Sequence, residues 1–402
     1  MSLRTPFIKA EWVSVGKKWN DIPPRVRRVA KQDFLIPNAI RARVLPPPGN
    51  SVKQMLEFTL PSYTVSIGTC SPERFFSRNS PDTISDFSIT RLRRLPTPAA
   101  SVVGKLIEFR RQAWLDGYRS VKYCHLHDSV ATHFPLWIIS FWAEALELRK
   151  TVREPWIGAK EWLNAQVRQK ISVERRQLAE AAIVLLATLP WDSMPVRTLW
   201  RYLGPHWTTG TQQNDLLDIL SDHITAQPVL AEHLQVKGLA LSAKIIEAAA
   251  TQNTTTYKTA QTFRWIRNLG EEVVHGRKGV LTIHHLGEDN QHWVAIVIDG
   301  EHETIHYGNS YGTNMPFELL DAYQWWLSQH ALSPFAIEKL PITSQEDTSS
   351  CGLLSHNSLG HFAFPDTIPL IASSGIQAAR MKTFLLMAER IVDQVYFKNN
   401  CK

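Results

Sequence analysis

Residues 293–298 (W-V-A-I-V-I) form an unbroken apolar run closed by Asp299-Gly300, and residues 303–307 (E-T-I-H-Y) follow almost at once. A short apolar run ended by a turn dipeptide reads as a strand buried on both faces and joined to its neighbour by a hairpin. Residues 280–286 (V-L-T-I-H-H-L) and 335–340 add two more expected strands. Around them apolar residues recur at three- and four-residue spacing, which predicts helices at 212–223, 239–250, 317–330, 350–362 and 373–395. The pattern predicts an α+β fold, with helices packed around a small central sheet that is mostly antiparallel or mixed.

The helical spacing also covers 102–115, 134–148, 154–163 and 174–189, until Pro190-Trp191 breaks it. Residues 1–99 differ. They are rich in Pro and Arg, as in I-P-P-R-V-R-R at 22–28, and their hydrophobic periodicity is poor. Irregular structure with short strands near 54–66 is expected there. The chain thus divides into a basic segment at 1–99, a helical extension at 100–190 and a domain at 191–402 that holds the sheet. Charge is divided as well: residues 1–111 carry 19 Lys and Arg against 8 Asp and Glu, on a chain of net charge +7. Such a basic arm fits contact with nucleic acid or an acidic surface, or a solvated leader.

Four cysteines (Cys70, Cys124, Cys351, Cys401) are scattered, without the density of a disulfide framework. The N-terminus M-S-L-R-T-P-F lacks the apolar stretch of a signal peptide. No window approaches the roughly 18 uninterrupted apolar residues of a membrane span. An intracellular protein of nucleus or cytoplasm is expected, in which Cys351 stays a thiol. Cys124, His125, His127 and His133 are dense, but their spacing matches no standard zinc site.

The chemistry-bearing stretch is 345–357 (Q-E-D-T-S-S-C-G-L-L-S-H-N). Ser349-Ser350 is a natural N-cap for a helix starting near Cys351, and Gly352 would let backbone approach a substrate closely. A thiol at a helix N-terminus beside a histidine can see its pKa fall from ~8.5 to roughly 3.5–7.5. His292 stands at the start of the central strand. If the strands pair through Asp299-Gly300, their far ends meet and bring His292 close to Asn309. The Asn309 amide oxygen can then accept the imidazole N–H and hold the tautomer. Gln345, six residues before Cys351, can donate its amide to an oxyanion together with the Cys351 N–H. Nucleophile, base, orienter and oxyanion donor are those of a thiol hydrolase, and no metal or organic cofactor is implied.

Three pieces of the chain resemble the ubiquitin-like-protein proteases (SUMO deconjugases), relatives of the adenovirus protease. These are H-W-V-A-I-V-I-D from His292, I-H-Y-G-N-S from Ile305, and Gln345 followed six residues later by Cys351-Gly352. The resemblance implies a peptidase acting after the C-terminal Gly-Gly of a ubiquitin-like protein, with 191–402 as the protease domain. It implies Cys351 as nucleophile, His292 as base, Gln345 as oxyanion donor and Trp293 as one wall of a narrow tunnel. Trp207, after His206, is the best candidate for the second wall, although T-T-G-T intervenes before the next helix. Asn309 departs from the family, which has Asp there; in a serine triad that change costs ~10⁴ in rate. Two other readings remain open: an inactive fold that binds ubiquitin-like tails, and an acetyltransferase of the kind that a related bacterial effector family builds on a similar site.

Overall fold

The computed structural model describes residues 18–61, 72–83, 86–123, 132–168, 172–287 and 291–400. The chain packs as two compact units, one within residues 1–161, 183–198 and 391–402, the other within 162–182 and 199–390.

The first unit begins with helices α1 (Pro24–Gln32), α2 (Asn38–Val44), α3 (Val52–Glu57) and α4 (Asp86–Leu92). They occupy the stretch expected to be irregular. Some of its prolines sit at helix starts, where the missing N–H was never going to be bonded: Pro24 opens α1, and Pro37 immediately precedes α2. The strands expected near 54–66 are replaced at 54–57 by α3, which Ser51 and Gln54 start with a reciprocal capping box. Residues 62–66 lie outside the described residues, as do Cys124, His125 and His127. Helices α5 (Ala100–Leu115) and α6 (Ile138–Leu148) bury Leu106, Trp114, Ile138 and Phe141. Beside them is a short antiparallel sheet of β1 (Phe76–Ser77), β2 (Ser120–Tyr123) and β3 (Thr132–Pro135). Several arginines of residues 1–111 have an internal use. Arg93 lies 4.1 Å over the Phe58 ring, Arg110 5.0 Å over Phe34 and Arg111 5.7 Å over Trp19.

Helices α7 (Glu154–Arg168), α8 (Val173–Leu185) and α9 (Met194–Leu199) follow. The second unit is then built from α10 (Gly210–Thr225), α11 (Pro228–His233), β4 (Leu234–Val236), α12 (Ala240–Ala250), α13 (Thr254–Thr259) and α14 (Arg264–Val274). After them come β5 (Gly279–His285), β6 (Trp293–Asp299), β7 (Thr304–Gly308), α15 (Phe317–Ser328), β8 (Ala336–Lys339), α16 (Cys351–Ala363) and α17 (Ile376–Asn400). The sheet order is β4-β5-β6-β7-β8, antiparallel in the middle and parallel at both edges. This is the expected α+β arrangement around a mixed sheet.

Alternation along β6 supplies both faces. Val294, Ile296 and Ile298 pack with Ile245, Leu269, Tyr323 and Trp326, from α12, α14 and α15. Trp293, Ala295 and Val297 face the other way, toward Leu217 and Leu220 of α10 and toward Cys351 and Leu359 of α16. Strand β6 pairs with β7 so that Ala295 faces Gly308 and Ile298 faces Ile305. The closed end is tied by Asp299, whose Oδ1 accepts the N–H groups of Glu301 and His302 at 3.0 and 3.2 Å. Gly300 is required there, since a Cβ would lie 2.0 Å from the Val273 carbonyl oxygen. With the turn fixed, His292 and Asn309 emerge together at the open end.

Among the described residues, no helix is long and apolar enough to cross a membrane.

Candidate active site

His292 is 3% exposed, and its Nε2 lies 2.9 Å from Asn309 Oδ1. Which atom of the Asn309 amide is the oxygen is settled by its neighbours. The Tyr311 main-chain N–H can only donate, and it points at Oδ1 from 2.9 Å. On its other side the amide nitrogen donates to Thr313 Oγ1 at 2.7 Å and to Tyr307 Oη at 3.3 Å. The atom facing His292 is therefore an acceptor, so Nε2 carries the proton and Nδ1 is the basic nitrogen.

Cys351 opens α16 and is 1% exposed. Its sulfur accepts the main-chain N–H of Trp293, and Ser355, one turn along the helix, donates to the Trp293 carbonyl at 3.1 Å. The first turn of α16 thus grips both ends of the residue next to His292. The thiol's hydrogen bonds run to the main-chain N–H groups of Trp293 and Gly352 and the imidazole's to Asn309, not to each other. Catalytic contacts of this kind commonly tighten only when substrate is bound.

The resting site favours neutral forms. Burial pushes the Cys351 thiol up from its ordinary value; N–H groups of Trp293 and Gly352 oppose this and the Asp347 carboxylate adds to it. This reverses the lowered thiol expected at a helix N-terminus, because desolvation outweighs the dipole. Burial also lowers the His292 imidazole, against the bond to Asn309 and with a smaller contribution from His285.

The mouth of α16 is not capped by its serines. Asp347 Oδ1 accepts the N–H groups of Ser349 and Ser350, both at 2.8 Å, and its Oδ2 takes the Ser350 hydroxyl at 2.6 Å. Burial raises the Asp347 carboxyl, but these bonds and Arg380 outweigh it and hold it below the usual range. Both serine oxygens accept from Arg380 Nη2, at 3.0 and 3.1 Å. The Arg380 guanidinium is 2% exposed and also donates to the His206 carbonyl at 3.1 Å. It braces the Trp207 segment and the Cys351 segment from behind.

Gln345 is held against Ser310, accepting its hydroxyl at 2.8 Å and bonding its carbonyl through the main-chain N–H at 2.8 Å. The Gln345 amide nitrogen donates to the Asp347 carbonyl at 2.7 Å. Its other contacts, Tyr311 Oη at 3.4 Å and Asp347 Oδ1 at 3.3 Å, are long, so one proton can be redirected to an oxyanion.

The two candidate tunnel walls differ. Trp293 is buried at 7% exposure, its indole N–H donating to the Thr208 carbonyl at 3.1 Å and its ring 4.6 Å from His285. Trp207 is 38% exposed, and its indole N–H donates to the Thr348 carbonyl. The intervening T-T-G-T is the start of α10: Thr209 and Gln212 form a reciprocal capping box. Gly352 has a different use from the one expected. A Cβ there would lie 2.2 Å from Thr208 Oγ1 and 2.1 Å from Gln213 Nε2, so its space is filled by the protein rather than left for substrate.

Sequence reasoning missed three residues of this site. Asp347 and Arg380 look like ordinary surface charges, and only the apolar surroundings of Arg380 within 376–387 hinted at burial. Nothing in the sequence singles out Tyr311. Its ring is stacked on His292, with centroids 4.5 Å and planes 18° apart.

Neither a protein-family model nor a curated relative matches the chain. Solved structures do. The C-terminal Ulp1 protease domain in complex with Smt3, the yeast ortholog of SUMO, is 14% identical with a TM-score of 0.39, over 56% of this chain and 98% of that one. The catalytic domain of the Chaetomium thermophilum Ulp1-like SUMO protease is 13% identical with a TM-score of 0.39, over 56% and 93%. The Xanthomonas campestris effector XopD, bound to ubiquitin, is 17% identical with a TM-score of 0.27, over 44% and 91%. A likeness at this level carries no chemistry with it. What the site does follows from its own side chains.

Proposed function

We propose that the chain is a cysteine peptidase that hydrolyses the peptide or isopeptide bond after the C-terminal Gly-Gly of a ubiquitin-like protein. The observation that carries the chemistry is the His292–Asn309 bond, which leaves Nδ1 basic while α16 ties the Cys351 thiol to the adjoining peptide. In the reaction the thiol proton passes to Nδ1 as sulfur attacks the carbonyl carbon. The oxyanion is met by the Cys351 N–H and the Gln345 amide. His292 returns the proton to the leaving amine, giving a thioester. Water, deprotonated by the same nitrogen, then releases the glycine carboxylate.

Trp207 and Trp293, both bonded to main chain beside the thiol, support a narrow entrance that suits a tail without side chains. Partners under this reading are ubiquitin-like proteins or their conjugates, met in the nucleus or cytoplasm. A binding-only reading has one observation in its favour: the thiol is bonded to main-chain N–H groups rather than to His292, whose own partner is a neutral amide. Fluorogenic ubiquitin-like tails separate the two readings: release by wild type and none by Cys351→Ala is expected. Equal signals from both proteins would sink the peptidase reading. A panel of tail-electrophile probes, read by mass spectrometry at Cys351, then identifies the modifier.

A further inference from the structure

Tyr311 is 49% exposed, yet its ring is ordered face to face on the imidazole that the site uses as base. It lies two residues after Asn309, and its main-chain N–H donates to the same Oδ1 that accepts from His292. Tyr311 therefore holds His292 twice, by the ring's face and, through the shared amide, by its edge. The edge contact brings no charge. When Cys351 gives its S–H proton to Nδ1, a thiolate and an imidazolium appear in a buried site, and the amide can orient the cation without stabilising it. A cation over an aromatic face is attracted by the ring quadrupole, most strongly where water is excluded.

We propose that the Tyr311 ring is a positioning residue that stabilises the His292 imidazolium, supplying through its π face part of what a carboxylate at position 309 would supply. The inference rests on the peptidase reading only for the occasion on which the cation forms; the electrostatics belong to His292. The other titratable groups around it, among the described residues, are His285 from β5, Cys351 and Asp347 at the mouth of α16, Tyr307 beyond Asn309, and Arg380 behind the mouth. Asp347 is the only carboxylate among them, and its oxygens are taken by Ser349 and Ser350. Among the described residues, the stacked ring is the electron-rich partner left to the imidazole.

The test is the His292 titration, followed by imidazole ¹⁵N shifts in the full chain and assigned by its loss in His292→Gln. Tyr311→Leu keeps an apolar cover over the imidazole but removes the π face, and lowers the midpoint by about 0.4 to 1.5 pH units. Tyr311→Phe, which keeps the ring, holds the wild-type midpoint. In an Asn309→Asp background, Tyr311→Leu shifts the midpoint by less than half as much, because the carboxylate takes over. An unshifted midpoint in Tyr311→Leu overturns the proposal, and so does an equal fall in Tyr311→Phe, which would assign the effect to the hydroxyl. An undiminished shift in the Asn309→Asp background removes the claim of substitution for a carboxylate. Thermal melts of each variant confirm folding. If Cys351 cleaves no tail while these shifts appear, the peptidase reading fails and this inference stands.

Discussion

At the open end of the β6–β7 hairpin a buried imidazole meets a neutral amide; at its closed end an exposed imidazole meets a carboxylate. The two hydrogen bonds are nearly the same length, 2.9 Å for His292–Asn309 and 2.8 Å for His302–Asp299. Their consequences are opposite. Asp299 raises His302 through its hydrogen bond and its charge. Asp299 itself is held well below the usual carboxylate range: burial opposes this, but bonds from His306 and His302 win. His292 is lowered by burial, and its bond to the amide only partly offsets that. A short hydrogen bond thus reports orientation, not charge. The end that is electrostatically strong is a clasp for a turn, and the end that is electrostatically weak is the candidate catalytic one.

The sharpest break of that comparison comes from removing the reacting groups. Cys351→Ala should abolish tail cleavage, by on the order of 10⁶ in single-turnover rate, the scale set by nucleophile loss in a serine triad. Asp299→Asn should leave that rate where it was. Next in size, Asn309→Ala frees the imidazole tautomer and should cost up to ~10⁴ in the same assay. Asn309→Asp moves the open end toward the character of the closed one. It should raise the His292 midpoint by roughly 1–3 units. Iodoacetamide labelling of Cys351 at pH 6, read by peptide mass spectrometry, should then rise at least about tenfold. In the wild type, with the thiol raised and the imidazole lowered, labelling should climb through alkaline pH with no plateau near pH 6. A plateau there would show a standing ion pair.

The smallest effect belongs to the clasp. Asp299 has a depressed folded value, so its contribution is present above about pH 4 and lost as pH falls through that value. His302 has a raised one, so its share is complete below about pH 6.5 and lost as pH rises through the folded value. Asp299→Asn should therefore lower Tm most near pH 5–6, by a few degrees. The gap should narrow, without closing, by pH 9, where Asp299 still accepts two N–H groups.

The hairpin was legible because 293–298 is apolar on both faces and Asp299-Gly300 allows little but a turn. From that pairing the meeting of His292 and Asn309 followed by geometry alone. The short parallel edge strands behaved unequally. Ala336–Lys339 was expected although all four residues are exposed, while Leu234–Val236, only partly buried, left no pattern. Helices α1 and α2 were hidden by the prolines at their starts, which begin helices as readily as they end them. The thiol's state was misread for a different reason. A dipole and a neighbouring histidine are visible in sequence, but the depth at which the sulfur sits is a property of packing. Arg380 and Tyr311 were out of reach for the same cause, since their roles depend on residues far away in the chain or on the angle of a ring.

Arg380 also bears on how the protein can be cut down for study. It lies on the closing helix, some 30 residues beyond the nucleophile, and none of the proposed reacting atoms belongs to it. A fragment ending before residue 376 would keep Cys351, His292, Asn309 and Gln345 in full. It would lose the cation that joins the carbonyl of His206 to the hydroxyls of Ser349 and Ser350. Silence from such a fragment would describe a doorframe without its crossbar, not the chemistry of the door.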